Sequence, residues 1–166
     1  SLGLESGSQQ ILDRMNKKTT ISGNIAACKT VLETGLKLNT GWIVGFPGET
    51  RETLAQTVEL LLKIKPTTAN IGRLVPYPGT AVYEEAKAEN TLVGDWTVDS
   101  GYTPWVRLPW IHSRAELEKI TRKVINRVYY RPHYLWQFAG DILGNGNLTL
   151  ARYALQEARK SIKKKQ

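Results

Sequence analysis

Three short stretches combine glycine, proline and small hydroxyl residues where an apolar run gives way to a helical pattern: Gly3-Leu4-Glu5-Ser6-Gly7-Ser8, Gly45-Phe46-Pro47-Gly48-Glu49-Thr50 and Pro76-Tyr77-Pro78-Gly79-Thr80. In parallel α/β folds, ligands bind at the carboxyl ends of strands, in the loops that lead into helices. Three such loops would converge on one face. Each also has a plain structural use, because glycine and proline make turns and Ser8, Thr50 and Thr80 suit helix N-caps. Glu5 is the exception: a carboxylate closing an apolar strand is costly to bury unless something pairs with it. The second loop lacks the Gly-Lys-Ser/Thr ending that grips phosphates, so nucleoside triphosphate hydrolysis is not indicated. His112 and His133 read as structural or exposed residues, not as acids or ligands. No residue is assigned a catalytic or metal-binding role from its type and spacing.

The elements that would carry these loops alternate. Residues 1–5 read as a short strand, followed by a short helix from Ser8 and a longer one over 21–34. Ile25, Cys28 and Leu32 share a face of that helix, and Gly35 is a natural stop. Residues 37–44 give a second strand, whose continuous Trp42-Ile43-Val44 suits cover on both faces. Thr50 caps a helix with Leu54, Val58, Leu61 and Leu62 at helical spacing, stopped by Pro66. Residues 68–75 form a third strand, and Thr80 opens a helix to about Glu89. Strand–helix three times over predicts an α/β fold with parallel strands and right-handed crossovers. Residues 91–112 break the pattern with Trp96, Tyr102, Trp105 and Trp110, and read as an irregular connection packed by its aromatics. Ser113 and Glu116 then form a capping box for a helix with Leu117, Ile120, Val124 and Val128 on one face. Pro132 ends or bends it, and a last helix is expected over 148–162. The domain reading is therefore 1–90 for the strand–helix part and 91–166 for the aromatic connection and helical extension.

Composition bounds the rest. The chain has 166 residues, 41% hydrophobic and 23% charged, which is ordinary for one globular domain. No apolar run approaches the roughly 20 residues of a membrane span, and no signal-peptide pattern opens the chain, so a soluble cytoplasmic protein is expected. The net charge is +8, concentrated in part at Arg159, Lys160, Lys163, Lys164 and Lys165. This tail reads as a solvated terminus, and nucleic acid is not the favoured partner. A single cysteine, Cys28, excludes an intrachain disulfide and any site built from several cysteines of this chain. It reads as a core residue. A sheet that begins abruptly at Ser1 would expose a strand edge, so it is expected to continue with strands outside this chain.

At the three loops the sequence resembles the radical S-adenosylmethionine superfamily. The resemblance is nearest to the cobalamin-binding branch that includes anaerobic magnesium-protoporphyrin ester cyclases. The matching stretches are Gly3-Leu-Glu-Ser-Gly-Ser8 with Met15-Asn-Lys17, Gly41-Trp-Ile-Val-Gly-Phe-Pro-Gly-Glu-Thr50 and Pro76-Tyr-Pro-Gly-Thr80. They fall in the order of strands four, five and six of that six-stranded barrel. The resemblance implies a partial parallel (βα) barrel, its last three strand–helix units, with a helical extension. It implies that Glu5, with Ser6 beside it, meets the ribose of S-adenosylmethionine and that Lys17 faces the methionyl carboxylate. Ile43, Val44 and Gly45 would pack on the adenine, with Leu74 and Val75 adding apolar wall. A carboxylate can accept from both ribose hydroxyls, which suits Glu5.

The departure from the family concerns its cofactors. Its [4Fe-4S] cluster sits on three cysteines spaced CxxxCxxC early in the barrel, and this chain has only Cys28. The intact enzyme would pass one electron to the sulfonium of S-adenosylmethionine and release a 5′-deoxyadenosyl radical. The chain would contribute the ribose and adenine side of that site, with the cluster, and cobalamin if used, held elsewhere. Its expected partners are the missing N-terminal half of the barrel and an unknown small-molecule substrate. By itself it should be inactive. The other functions weighed are a tRNA-modifying methylthiotransferase-like enzyme and a non-catalytic half-barrel that binds a partner.

Overall fold

The computed structural model describes residues 1–94, 96, 103–131 and 134. Three strands, β1 (Leu2–Glu5), β2 (Asn39–Val44) and β3 (Thr68–Arg73), form one parallel sheet in the order β1-β2-β3. Helices α1 (Gln9–Arg14) and α2 (Ile21–Glu33) connect the first two strands, and α3 (Arg51–Ile64) connects the second and third. After β3 comes α4 (Ala81–Ala88). The alternation expected from the sequence is present, with β2 and β3 ending up to two residues inside the expected limits.

The caps behave as their residue types dictate. The Thr50 hydroxyl accepts from the Thr53 amide while the Thr53 hydroxyl accepts from the Thr50 amide, a reciprocal capping box on α3. Thr20 and Thr80 cap α2 and α4 in the same way, with one side-chain bond each. Ser8 caps α1 by position only, without a side-chain bond.

Burial along the sheet alternates. In β2, Thr40, Trp42 and Val44 are buried, whereas Asn39, Gly41 and Ile43 are half-buried. The buried set faces the helices. Continuous cover on both faces, expected from Trp42-Ile43-Val44, is therefore confined to the top of the strand. There Ile43 packs on Leu74, Ala86 and Val106. The main core lies on the helix side, where Val44, Leu54, Val58, Trp105, Leu108, Ile111, Leu117 and Val124 form one cluster.

Two expectations are corrected by this packing. On α2 the buried residues are Asn24 and Cys28, while Leu32 is exposed, so the packed face is rotated from the Ile25–Cys28–Leu32 stripe. Ile21, Ile25 and Val31 line its flank, half-buried. The stretch after α4 is also not wholly irregular: β4 (Leu92–Val93) and β5 (Trp105–Val106) pair antiparallel. Helix α5 (Arg114–Tyr129) follows. Ser113 accepts from the Glu116 amide, but the Glu116 carboxylate accepts from His112, one residue earlier than the usual box.

The described residues divide into two compact units, with the boundary after Ile125. The first holds the sheet, β4, β5 and most of α5. In the second, Val128 is buried and the Tyr129 and Tyr134 rings lie 5.2 Å apart. His133, the expected helix over 148–162 and the basic tail lie outside the described residues, as does Tyr102.

Candidate functional site

The sheet's second face differs from its packed one. Register pairs Gly3 with Gly41, Asn39 with Thr68, Gly41 with Asn70 and Ile43 with Gly72. These residues share a face, and Gly3, Thr68, Asn70 and Gly72 are exposed. A Cβ on Gly72 would meet nothing within 4 Å, and one on Gly41 only the Gly3 Cα at 3.8 Å. Below Ile43 the face is thus glycine and small polar residues. Asn39 ties it across the strands, with Oδ1 accepting from the Thr68 hydroxyl at 3.1 Å and from Asn70 Nδ2 at 3.3 Å.

Glu5 and Lys17 lie over this face at the carboxyl end of β1. Lys17 Nζ donates to Glu5 Oε1 at 3.0 Å, with both side chains partly exposed. Glu5 Oε1 stands only 2.5 Å from where a Gly3 Cβ would be, so the carboxylate folds back over the strand into space that only glycine leaves. Glu5 has φ 62°, and the residues flanking Lys17, Asn16 and Lys18, have φ 53° and 52°. Such left-handed conformations cost non-glycine residues roughly 1 kcal/mol or more each. A partly exposed ion pair returns about 0–1 kcal/mol. The local strain therefore exceeds what the ion pair alone gives back in stability.

Ser6 belongs to the scaffold. It is fully buried, its hydroxyl 3.2 Å from Thr57 Oγ1 and accepting from the Ser8 amide at 3.1 Å. The Gly7 amide donates to Thr57 Oγ1 at 2.9 Å. A Cβ on Gly7 would stand 2.5 Å from both Gln56 O and Thr57 Cα, so this glycine lets the loop press on the backbone of α3.

The turn after β2 is equally tight. Gly45 has φ 89°, and a Cβ there would lie 2.9 Å from Leu117 Cδ1. The close approach allowed by Gly45 on that side is to α5. Its amide donates to Glu49 Oε2 at 2.8 Å. Glu49 is buried, and its Oε1 has no hydrogen-bond partner among the described residues. Burial pushes its carboxyl up to about 7, against the lowering effect of the Gly45 amide. Trp110 Nε1 donates to the Glu49 carbonyl at 2.6 Å, and the Arg51 guanidinium sits 5.0 Å from the centre of the Trp110 ring.

The remaining expected contacts are divided between the two faces. Val44 is buried in the helix-side core and Leu74 in the smaller cluster. Ile43 and Val75 are half-buried. The structure therefore brings Glu5, Lys17 and the Gly3–Gly41 surface together, and gives Ser6, Val44, Gly45 and Leu74 packing partners within the chain. Sequence reasoning passed over Gly3 as a space-maker and Glu49 as a buried carboxyl. The Gly45–Glu49 spacing was a usable signal for the second, since a turn amide leaving a strand needs an acceptor.

No family profile matches the chain. An anaerobic magnesium-protoporphyrin IX monomethyl ester cyclase of Cereibacter sphaeroides is 31% identical over 143 residues, 84% of this chain and 23% of the relative. A probable threonylcarbamoyladenosine tRNA methylthiotransferase of Pyrococcus horikoshii is 37% identical over 81 residues, 48% of this chain and 19% of the relative. The chain belongs to the radical S-adenosylmethionine superfamily. An uncharacterized methyltransferase of Pyrococcus horikoshii is 34% identical over 134 residues, 80% of this chain and 29% of the relative. The chain thus spans less than a third of the length of each of these relatives.

Membership allows a test of which superfamily cofactors the residues fit. An iron–sulfur cluster does not fit them. Cys28 is the single thiol and is buried, and no group of three His, Cys, Asp or Glu among the described residues is placed to hold a metal. S-adenosylmethionine fits the open face, where a carboxylate and glycine backbone are accessible together. No described helix is long and apolar enough to cross a membrane.

Proposed function

We propose that the chain is the part of a radical S-adenosylmethionine enzyme that carries strands four to six of a partial barrel. Its open glycine-and-amide face would look into the barrel and receive the nucleoside side of S-adenosylmethionine. The observation that carries this reading is the Glu5 carboxylate, partly exposed at the carboxyl end of β1 above Gly3. Glu5 accepts the ribose hydroxyls. Gly41 and the half-buried Ile43 offer backbone and apolar surface to the adenine. Val44, Gly45 and Leu74 act from behind, by fixing the strand ends, and Ser6 fixes the first loop. The bound cofactor supplies a sulfonium that can be cleaved reductively. This chain's residues hold and orient its nucleoside and keep β1 and β2 in register, and no step through the cluster is assigned to them. We assign cobalamin no residues of this chain.

The length of the matches favours a small-molecule substrate over tRNA. The tRNA-modifying relatives match over 81 to 100 residues, whereas the ester cyclases match over 117 and 143.

The test is S-adenosylmethionine binding to the full-length protein with Glu5→Ala. About tenfold weaker binding, with the cluster's absorption spectrum unchanged, is expected for the loss of a charged hydrogen-bond acceptor. Unaltered affinity would remove Glu5 from the site.

A further inference from the structure

The Lys17 ammonium lies 3.0 Å from Glu5 Oε1. The backbone is shaped around that contact. Among the described residues five non-glycine positions have positive φ, and three of them are Glu5, Asn16 and Lys18. The Lys17 amide donates to the Leu12 carbonyl and the Asn16 amide to that of Asp13, so α1 ends in a fixed turn that aims Lys17 back over β1. Gly3 leaves room for both groups, its Cβ position lying 2.5 Å from Glu5 Oε1 and 3.3 Å from Lys17 Nζ. Strain and a missing side chain are thus concentrated on one ion pair, a pattern found where geometry serves a site. With Oε1 engaged, Glu5 Oε2 has no hydrogen-bond partner among the described residues and is left to accept from a ligand.

We infer that Lys17 is a positioning residue: it fixes the Glu5 carboxylate for the ribose hydroxyls, and so acts on the ribose through Glu5. The inference rests on the ribose reading of Glu5. A preset acceptor loses less freedom when the ligand arrives, so the lysine strengthens binding through glutamate.

Two probes separate the roles in the full-length protein: S-adenosylmethionine, and adenosine, which has the ribose but no methionyl group. Lys17→Met should weaken adenosine as well as S-adenosylmethionine, adenosine by about tenfold by analogy with other charge-assisted bonds. Lys17→Arg should restore most of the affinity for both. In a Glu5→Gln background Lys17→Met should add nothing to the loss of adenosine binding. If Lys17→Met weakens S-adenosylmethionine alone and leaves adenosine unchanged, the lysine reads the carboxylate and the positioning role is overturned. Adenosine binding unaffected by Glu5→Gln would instead overturn the ribose reading beneath it.

Discussion

The Gly45 amide is held by the Glu49 carboxylate at 2.8 Å, and neither residue has appreciable access to solvent. A strand end is thereby fixed by an acid whose own burial favours the neutral form. Burial moves the Glu49 carboxyl from 4.5 to about 7. The folded state then keeps a proton that the unfolded chain has released, so stability falls as pH rises through this window.

Glu49→Gln keeps an acceptor for Gly45 and removes the titration. The variant should match the wild type near pH 4.5 and exceed it by about 3 kcal/mol at most at pH 8. Urea unfolding at the two pH values checks this. A wild-type advantage at pH 8 would mean that the carboxylate is stabilised by a partner.

Gly7 presses on the backbone of α3, and a methyl group there would stand 2.5 Å from Thr57 Cα. Gly7→Ala must push the first loop off the helix, and should cost about 1–3 kcal/mol as overpacking. The loss would register as a lower midpoint in chemical denaturation.

Thr57 accepts the Gly7 amide and contacts the Ser6 hydroxyl, while its own hydroxyl donates to the Thr53 carbonyl at 3.1 Å. Thr57→Val preserves shape but strands the Gly7 amide, at a cost of about 1–3 kcal/mol. Thr57→Ser should recover most of it. Equal stability of the valine and serine variants would show that the methyl group, not the hydroxyl, matters.

Gly45→Ala meets two obstacles, the left-handed backbone and Leu117 Cδ1 at 2.9 Å. Only the second can be relieved. Paired with Leu117→Ala in a double-mutant cycle, it should show a favourable coupling of about 0.5–3 kcal/mol. Strict additivity would place the whole cost in the backbone.

Much of this arrangement was legible in the sequence. Leu54, Val58 and Leu61 repeat at helical spacing, and Thr50 and Thr80 mark helix starts by their chemistry, so α3 and α4 follow from local rules. The β4–β5 pair was not, because two-residue strands carry no periodicity to read. The turn of α2 was misjudged because Asn24, a polar residue, takes a buried position that an apolar stripe would claim. At the site, a carboxylate closing an apolar strand pointed to Glu5 and the family resemblance to Lys17, but nothing in their spacing of twelve positions shows that they touch. That contact is framed by three left-handed residues, Glu5, Asn16 and Lys18, of which only Asn16 is of a type that favours this conformation.

The glycine-and-amide face has a consequence for how such a protein can change. Because the main hydrophobic cluster lies against the helices, Asn39, Gly41, Thr68, Asn70 and Gly72 add little apolar burial to the fold. Substitutions there change the chemistry of the exposed face while drawing little on a narrow margin of stability. On the proposed reading of that face, a lineage can diversify its ligands on one side of the sheet while selection guards the other, and specificity becomes free to drift independently of architecture.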